Sequence, residues 1–262
     1  MKKLITTCVS MMTGLVLFMS CQSEKTDWKL VWEENFEQTD SFDPAVWSKI
    51  PRGTSDWDRH MSDFDSCYAM RDGKLILRGL VNYTQKNDTS PVLTGGVYSK
   101  GKKLFEHGRL EINARLHGAR GAWPAFWLLP EDEKWPDGGE IDIMEHVGYH
   151  PNYVSSSIHC QAYYHSIGTQ KTHELFLKTA QTEFHTYACE WTEDYIKFYF
   201  DGELHFTFNN DHTNNYDTWP FYNPFYLKLN LAWGGNWGGA MGLDESCLPA
   251  TYEIDYVRVF KK

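Results

Sequence analysis

The chain has 262 residues, room for one large β domain or two small ones. A hydrophobic share of 42% supports a packed core and argues against disorder, and a net charge of −10 argues against nucleic acid or anionic membrane surfaces as partners. Aromatic residues make up 16%, with 11 Trp, more than a core of this size needs, so part of them is expected on a carbohydrate-facing surface.

Residues 1–21 read as a targeting segment. Lys2 and Lys3 precede an apolar run from Leu4 to Met19, too short and too interrupted to span a membrane. Leu17-Phe18-Met19-Ser20-Cys21 resembles a bacterial lipobox, although Phe18 departs from its commonest form. The expectation is a signal peptide over 1–21, a lipidated Cys21, an acidic tether over 22–27 and a folded domain over 28–262. Such a lipoprotein would sit on the outer membrane or cell surface, or face the periplasm. Cys67, Cys160, Cys189 and Cys247 remain in the domain. Their spacing selects none of the three pairings. Buried free thiols are the favoured reading, because Cys160 and Cys189 lie inside strand-like runs.

Trp28 to Trp32 alternates as a first strand. The stretch Pro51 to Cys67 has no clear period. Within it Trp57, Arg59 and His60 are either sugar contacts or loop packing. Tyr68 to Gly79 reads as a hairpin turning at Asp72-Gly73. Arg109, Glu111, Asn113 and Arg115 alternate with apolar residues and share one face, and ion pairing is the expectation for most of them. Trp123 and Trp127 are an even step apart and can face the same way. Trp123 is taken as a sugar platform, while Trp127 is either platform or core.

Glu140-Ile141-Asp142-Ile143-Met144-Glu145-His146 carries three carboxylates within six residues. Side chains alternate along a strand, so Glu140 and Asp142 share a face. Glu145, at an odd offset, would fall on the opposite, apolar face at a cost of several kcal/mol, roughly. One extra residue near Ile143-Met144, a β-bulge, returns it to the acidic face. Carboxyls packed this closely repel, so at least one keeps its proton near neutral pH. An ionised carboxylate beside a protonated one is what retaining glycoside hydrolysis requires.

Trp135-Pro136-Asp137-Gly138-Gly139-Glu140 running into this strand resembles the signature of glycoside hydrolase family 16, in its laminarinase-like, bulged branch. The resemblance extends over residues 28–262. It implies an all-β jelly roll, a sandwich of two antiparallel sheets with an open cleft. It also implies Glu140 as nucleophile, Glu145 as acid/base and Asp142 as the assisting residue. Trp135 resembles the tryptophan beside the cleaved bond. His159 and His146 are expected to bond sugar hydroxyls or Glu145. Asn230 is expected as a sugar ligand, Trp237 at the end of the cleft, and Trp233 as a residue that narrows a subsite.

Many relatives hold a structural calcium through an acidic residue near the first strand and an Asp in the last. Asn35 stands where the acid is expected, and Asp255 is retained. No cofactor is implied for the chemistry. The expected activity is retaining, endo-acting hydrolysis of a β-1,3 or mixed-linkage β-glucan by a monomer. The alternatives are an endo-β-1,4-galactosidase acting on host O-glycans, poly-N-acetyllactosamine or galactans, and a non-catalytic glycan-binding lipoprotein. The latter explains the tryptophans but not three carboxylates at bulged spacing.

Overall fold

The computed structural model describes residues 27–38 and 40–262. Cys21, the signal segment and most of the tether lie outside the described residues. The strands in chain order are β1 Lys29–Glu34, β2 Ser48–Lys49, β3 Tyr68–Arg71, β4 Lys74–Val81, β5 Val92–Thr94, β6 Gly96–Tyr98, β7 Gly108–Leu116 and β8 Ala122–Pro130. They continue with β9 Glu140–Glu145, β10 Tyr153–His159, β11 Lys171–Phe176, β12 His185–Trp191, β13 Tyr195–Phe200, β14 Glu203–Asn209, β15 Phe225–Trp233 and β16 Ala250–Lys261.

These strands form two antiparallel sheets, the jelly-roll sandwich expected. One has nine strands, with the order β14-β13-β12-β7-β16-β4-β3, β1 pairing β16 and β5 pairing β4. The other has seven, in the order β11-β10-β9-β8-β15-β6-β2. Their inner faces meet in one apolar core that includes Leu110, Ile112, Phe126, Ile141, Phe198, Leu229 and Ile254.

Strand parity explains which face each residue takes. In β7, Leu110, Ile112, Ala114 and Leu116 enter the core, and Arg109, Glu111, Asn113 and Arg115 lie on the outer face. There Arg109 contacts Glu111 at 3.3 Å and Glu190 at 3.2 Å, and Arg115 reaches Glu253 at 2.8 Å. Ion pairing is thus the role of Arg109, Glu111 and Arg115, while Asn113 Nδ2 donates to Thr186 Oγ1 at 3.1 Å. In β15, Phe225, Leu227, Leu229, Leu231 and Trp233 face the core. The alternate residues Tyr226, Lys228, Asn230 and Ala232 take the opposite face, where Ala232 joins Ile50 and Met61 in a small cluster against which Trp57, Tyr98 and Trp123 pack. Trp233 therefore narrows no subsite: it is 1% exposed and points into the core, the reverse of expectation.

Cys67, Cys160 and Cys189 are free and buried, whereas Cys247 is free and exposed.

Candidate active site

The site is built on β9, which is hydrogen-bonded to β8 on one side and β10 on the other. Gly139 leads into it with φ +85°, and a Cβ there would lie 2.7 Å from Phe221 Cε1, so only glycine fits the entry. Against β8, Asp142 pairs with Trp127 and Met144 with Phe126, which leaves Ile143 as the extra residue. Against β10, Asp142 faces Ser157 and Glu145 faces Ser155, the same shift seen from the other edge. Ser156 Oγ donates to the Ile143 carbonyl at 2.7 Å and so satisfies a backbone group that the bulge would otherwise orphan. Ile143 and Met144 are both buried, and Glu145 returns to the face of Glu140 and Asp142.

Glu140, Asp142 and His159 present donor atoms within 4.8 Å of one another. His159 Nε2 lies 3.3 Å from Asp142 Oδ2 and 3.8 Å from Glu140 Oε1. The Asp142 side chain is 3% exposed and that of Glu140 15%. Glu145 accepts a hydrogen bond from Trp123 Nε1 at 3.1 Å.

Burial pushes all three carboxyls well above the usual range, and the charge of Asp142 adds to the rise at Glu140 and Glu145. His159 and Lys228 act in the opposite sense on Glu140, favouring its anion. At Glu145, His159 and the Trp123 N–H likewise resist the rise. Three buried carboxyls cannot all ionise together, so protons remain in the cluster at neutral pH. Glu140 and Asp142 each act on the other's ionisation. This arrangement supplies an anion and a proton on one face of a rigid strand, the pair that glycosyl transfer through a covalent intermediate uses.

The tryptophans sort into two groups around this face. Trp135 is 39% exposed and stands beside His159, Tyr164 and His165, with ring centroids 6.2, 5.5 and 5.0 Å away. On the other side, Trp123 meets Trp237 edge to face at 5.2 Å. Trp127 takes the same face as Trp123 and is covered by Trp57, edge to face at 5.0 Å. Of the three loop residues left open by the sequence, only Trp57 joins the site. Arg59 bonds Asp56 at 2.5 Å, and His60 Nδ1 pairs with Ser90 Oγ at 2.7 Å.

His146 and Asn230 depart from expectation. His146 is 1% exposed, with Nδ1 on the Tyr153 carbonyl at 2.7 Å and Nε2 on Gln181 at 2.9 Å, so both ring nitrogens are engaged away from any sugar. Asn230 is 1% exposed, and its Oδ1 accepts the Trp127 indole N–H at 2.7 Å. That oxygen is therefore engaged by the Trp127 indole instead of a sugar hydroxyl. Lys74 Nζ lies 3.7 Å from the carboxylate of Asp255. Among the described residues, His, Cys, Asp and Glu donors converge in a group of three only at Glu140, Asp142 and His159.

Burial holds the His146 imidazole down to about 4, against 6.5 for an ordinary one. Between those values the unfolded chain binds the extra proton, so stability rises with pH across that window. The contribution is complete above the unfolded value and lost as pH falls through the folded one, about 3 kcal/mol in all. Urea midpoints at pH 4.5 and 7 should differ by less in His146→Gln than in the wild type. An equal difference in both would remove His146 as the cause.

Tyr164, His165 and Lys228 were not anticipated. Lys228 was readable in part: it stands two residues from Asn230 in an otherwise apolar strand, and parity alone puts it on the same face.

A model of glycosyl hydrolases family 16 matches residues 68–258. The chain belongs to glycoside hydrolase family 16. Within that family it is similar to a beta-glucanase from Rhodothermus marinus, 36% identical over 269 residues that cover 97% of this chain and 92% of the relative. It is also similar to a keratan-sulfate endo-1,4-beta-galactosidase from Sphingobacterium multivorum, 34% identical over 90% of this chain but spanning 56% of that protein's length. The X-ray structure of the laminarinase from Rhodothermus marinus superposes with a TM-score of 0.84 at 36% identity, covering 89% of this chain and 97% of that one. The family 16 assignment makes the chain a glycoside hydrolase, and its chemistry requires no cofactor.

Proposed function

We propose that the chain is a retaining endo-β-glucanase that cleaves internal bonds of β-1,3 or mixed-linkage β-1,3/1,4-glucan. One observation carries this reading: the bulged β9 presents Glu140, Asp142 and Glu145 on a single face flanked by tryptophans. Glu140 is the nucleophile. Its anion attacks the anomeric carbon, and the bond to the leaving oxygen breaks as Glu145 delivers its proton to that oxygen. Glu145, now a carboxylate, takes a proton from water, and the resulting hydroxide character at the anomeric carbon displaces Glu140. Asp142 and His159 stand beside Glu140, with His159 Nε2 3.3 Å from Asp142 and 3.8 Å from Glu140. Trp123 orients Glu145 through its N–H. Trp135 offers the exposed indole nearest His159 as a sugar platform.

Glucan is preferred to galactan because the glucan-active relative is matched along nearly its whole length, whereas the galactosidase is matched along little more than half. Attachment through a lipid on Cys21, as a monomer on a bacterial membrane, completes the proposal. Its basis is the lipobox-like sequence.

The test is the product profile on laminarin, mixed-linkage glucan, agarose and mucin O-glycans, separated by chromatography and mass. Oligomers from either glucan are expected, with the new reducing end in the β configuration at first. Products from mucin alone would transfer the enzyme to the galactosidase reading, and binding without any product would make it a glycan-binding protein.

A further inference from the structure

Lys228 is a lysine on the substrate-side face of an interior strand, 6% exposed. Its Nζ sits 4.1 Å from the ring centroid of Trp127 and 4.2 Å from that of Trp57. An ammonium between two indoles is held by their negative faces while the indoles keep water away from it. Its position relative to the carboxyls is fixed by the sheet. Lys228 pairs with Trp127 across β15 and β8, and Trp127 pairs with Asp142 across β8 and β9. The lysine therefore occupies the Asp142 row, two strands or roughly 10 Å of backbone away, with a side chain long enough to close much of that distance.

The groups around it can be named from every side. Glu140 on β9 and Asp58 on the loop attract the ammonium, and Lys100 repels it. Tyr226, on the same strand, has its ring 5.7 Å away. Glu140 in turn faces Asp142 and, on β10, His159, besides Lys228, and Glu145 feels its charge. Among these, Lys228 is the cation that acts on Glu140 from the side of the cluster opposite His159.

We propose that Lys228 is a positioning residue for the nucleophile: clamped between Trp57 and Trp127 on the face that carries the carboxyls, its ammonium is a fixed positive charge that favours the ionised form of Glu140. This rests on the reading of Glu140 as nucleophile. No bond to Lys228 forms or breaks. Burial lowers the lysine only to about 8, so it remains charged through the acid and neutral range in which a glycosidase nucleophile must lose its proton. The same clamp gives the otherwise irregular 51–61 loop a reason to lie on the sheet. Asp56, next to Trp57, accepts the backbone N–H of Asn236 at 2.7 Å, and Trp57 closes over the lysine.

The experiment is the pH dependence of kcat/KM on laminarin for the wild type, Lys228→Met and Lys228→Arg. In Lys228→Met the acidic limb should move up by about one pH unit, so activity on that limb falls about ten-fold and recovers toward higher pH. Lys228→Arg should return the limb toward its wild-type place, because charge is what is asked of the position. A structural role alone would lower activity at every pH by the same factor and leave the limb where it was, which would overturn the proposal. If Lys228→Met does not fold, Trp57→Ala opens the ammonium to water and should move the limb in the same direction by less. An unmoved limb there also overturns it. A wild type without activity on any glucan removes the glucanase reading itself, whereas an active wild type with an unmoved limb removes only the role of Lys228.

Discussion

Glu140→Gln should lose at least about 10⁴-fold in kcat on laminarin while folding normally and binding laminari-oligosaccharides. The amide keeps the shape of the side chain and cannot form the glycosyl ester. Hydrolysis then has no first step, because water cannot occupy the place of the nucleophile. The substitution should not destabilise the fold. It removes one of three carboxyls from a site where their mutual repulsion and burial are unfavourable, so the melting temperature should hold or rise. Turnover near the wild-type rate would sink the assignment. Loss of turnover together with loss of folding would show that Glu140 has a structural task instead, which the Glu140→Asp variant would separate.

Glu145→Ala should behave differently, and the difference is diagnostic. On polysaccharide, where the leaving oxygen is a poor leaving group, kcat should fall about 10²- to 10⁴-fold. On an aryl glycoside with an acidic phenol the first step needs no proton, so phenol should be released in a rapid burst. The second step lacks its base, and the glycosyl-enzyme on Glu140 should accumulate to a level that intact-protein mass spectrometry detects. Azide, an anion that needs no base, should restore turnover and yield a glycosyl azide with retained configuration. Absence of both the burst and the rescue would take the acid/base role from Glu145. Trp123 gives an internal check, since removing its N–H donor to Glu145 as Trp123→Phe should raise the basic limb of the pH profile.

The parts of this site that follow from parity were legible in advance. An odd offset between Glu140 and Glu145 demanded an extra residue, and Ile143 is that residue. The same rule, applied from Asn230, puts Trp233 in the core, since their offset is odd too. Reading Trp233 by analogy instead of by alternation produced the error. His146 lies one residue beyond β9, where strand parity no longer governs, and its ring turns to Tyr153 and Gln181. The 51–62 loop was opaque for another reason. Its defining contacts are far apart in the chain: Asp56 with Asn236, Trp57 with Trp127 and Lys228. No local pattern encodes partners at that separation. Asn230 was placed on the correct face, but its engagement by the Trp127 indole depends on side-chain geometry that alternation does not describe.

Four strands lie to one side of β9 in its sheet and two to the other. Amide groups of such an interior strand exchange with solvent only when the sheet opens, an event near the global limit. The catalytic carboxyls thus ride on one of the last segments to come apart. Heating should therefore leave the active centre intact until the whole domain yields, with loss of hydrolysis and loss of tertiary structure following a single curve. An enzyme whose carboxyls stood on surface loops would lose its function first and its shape later. Here the bulge that assembles the chemistry is part of the protein's most durable scaffold.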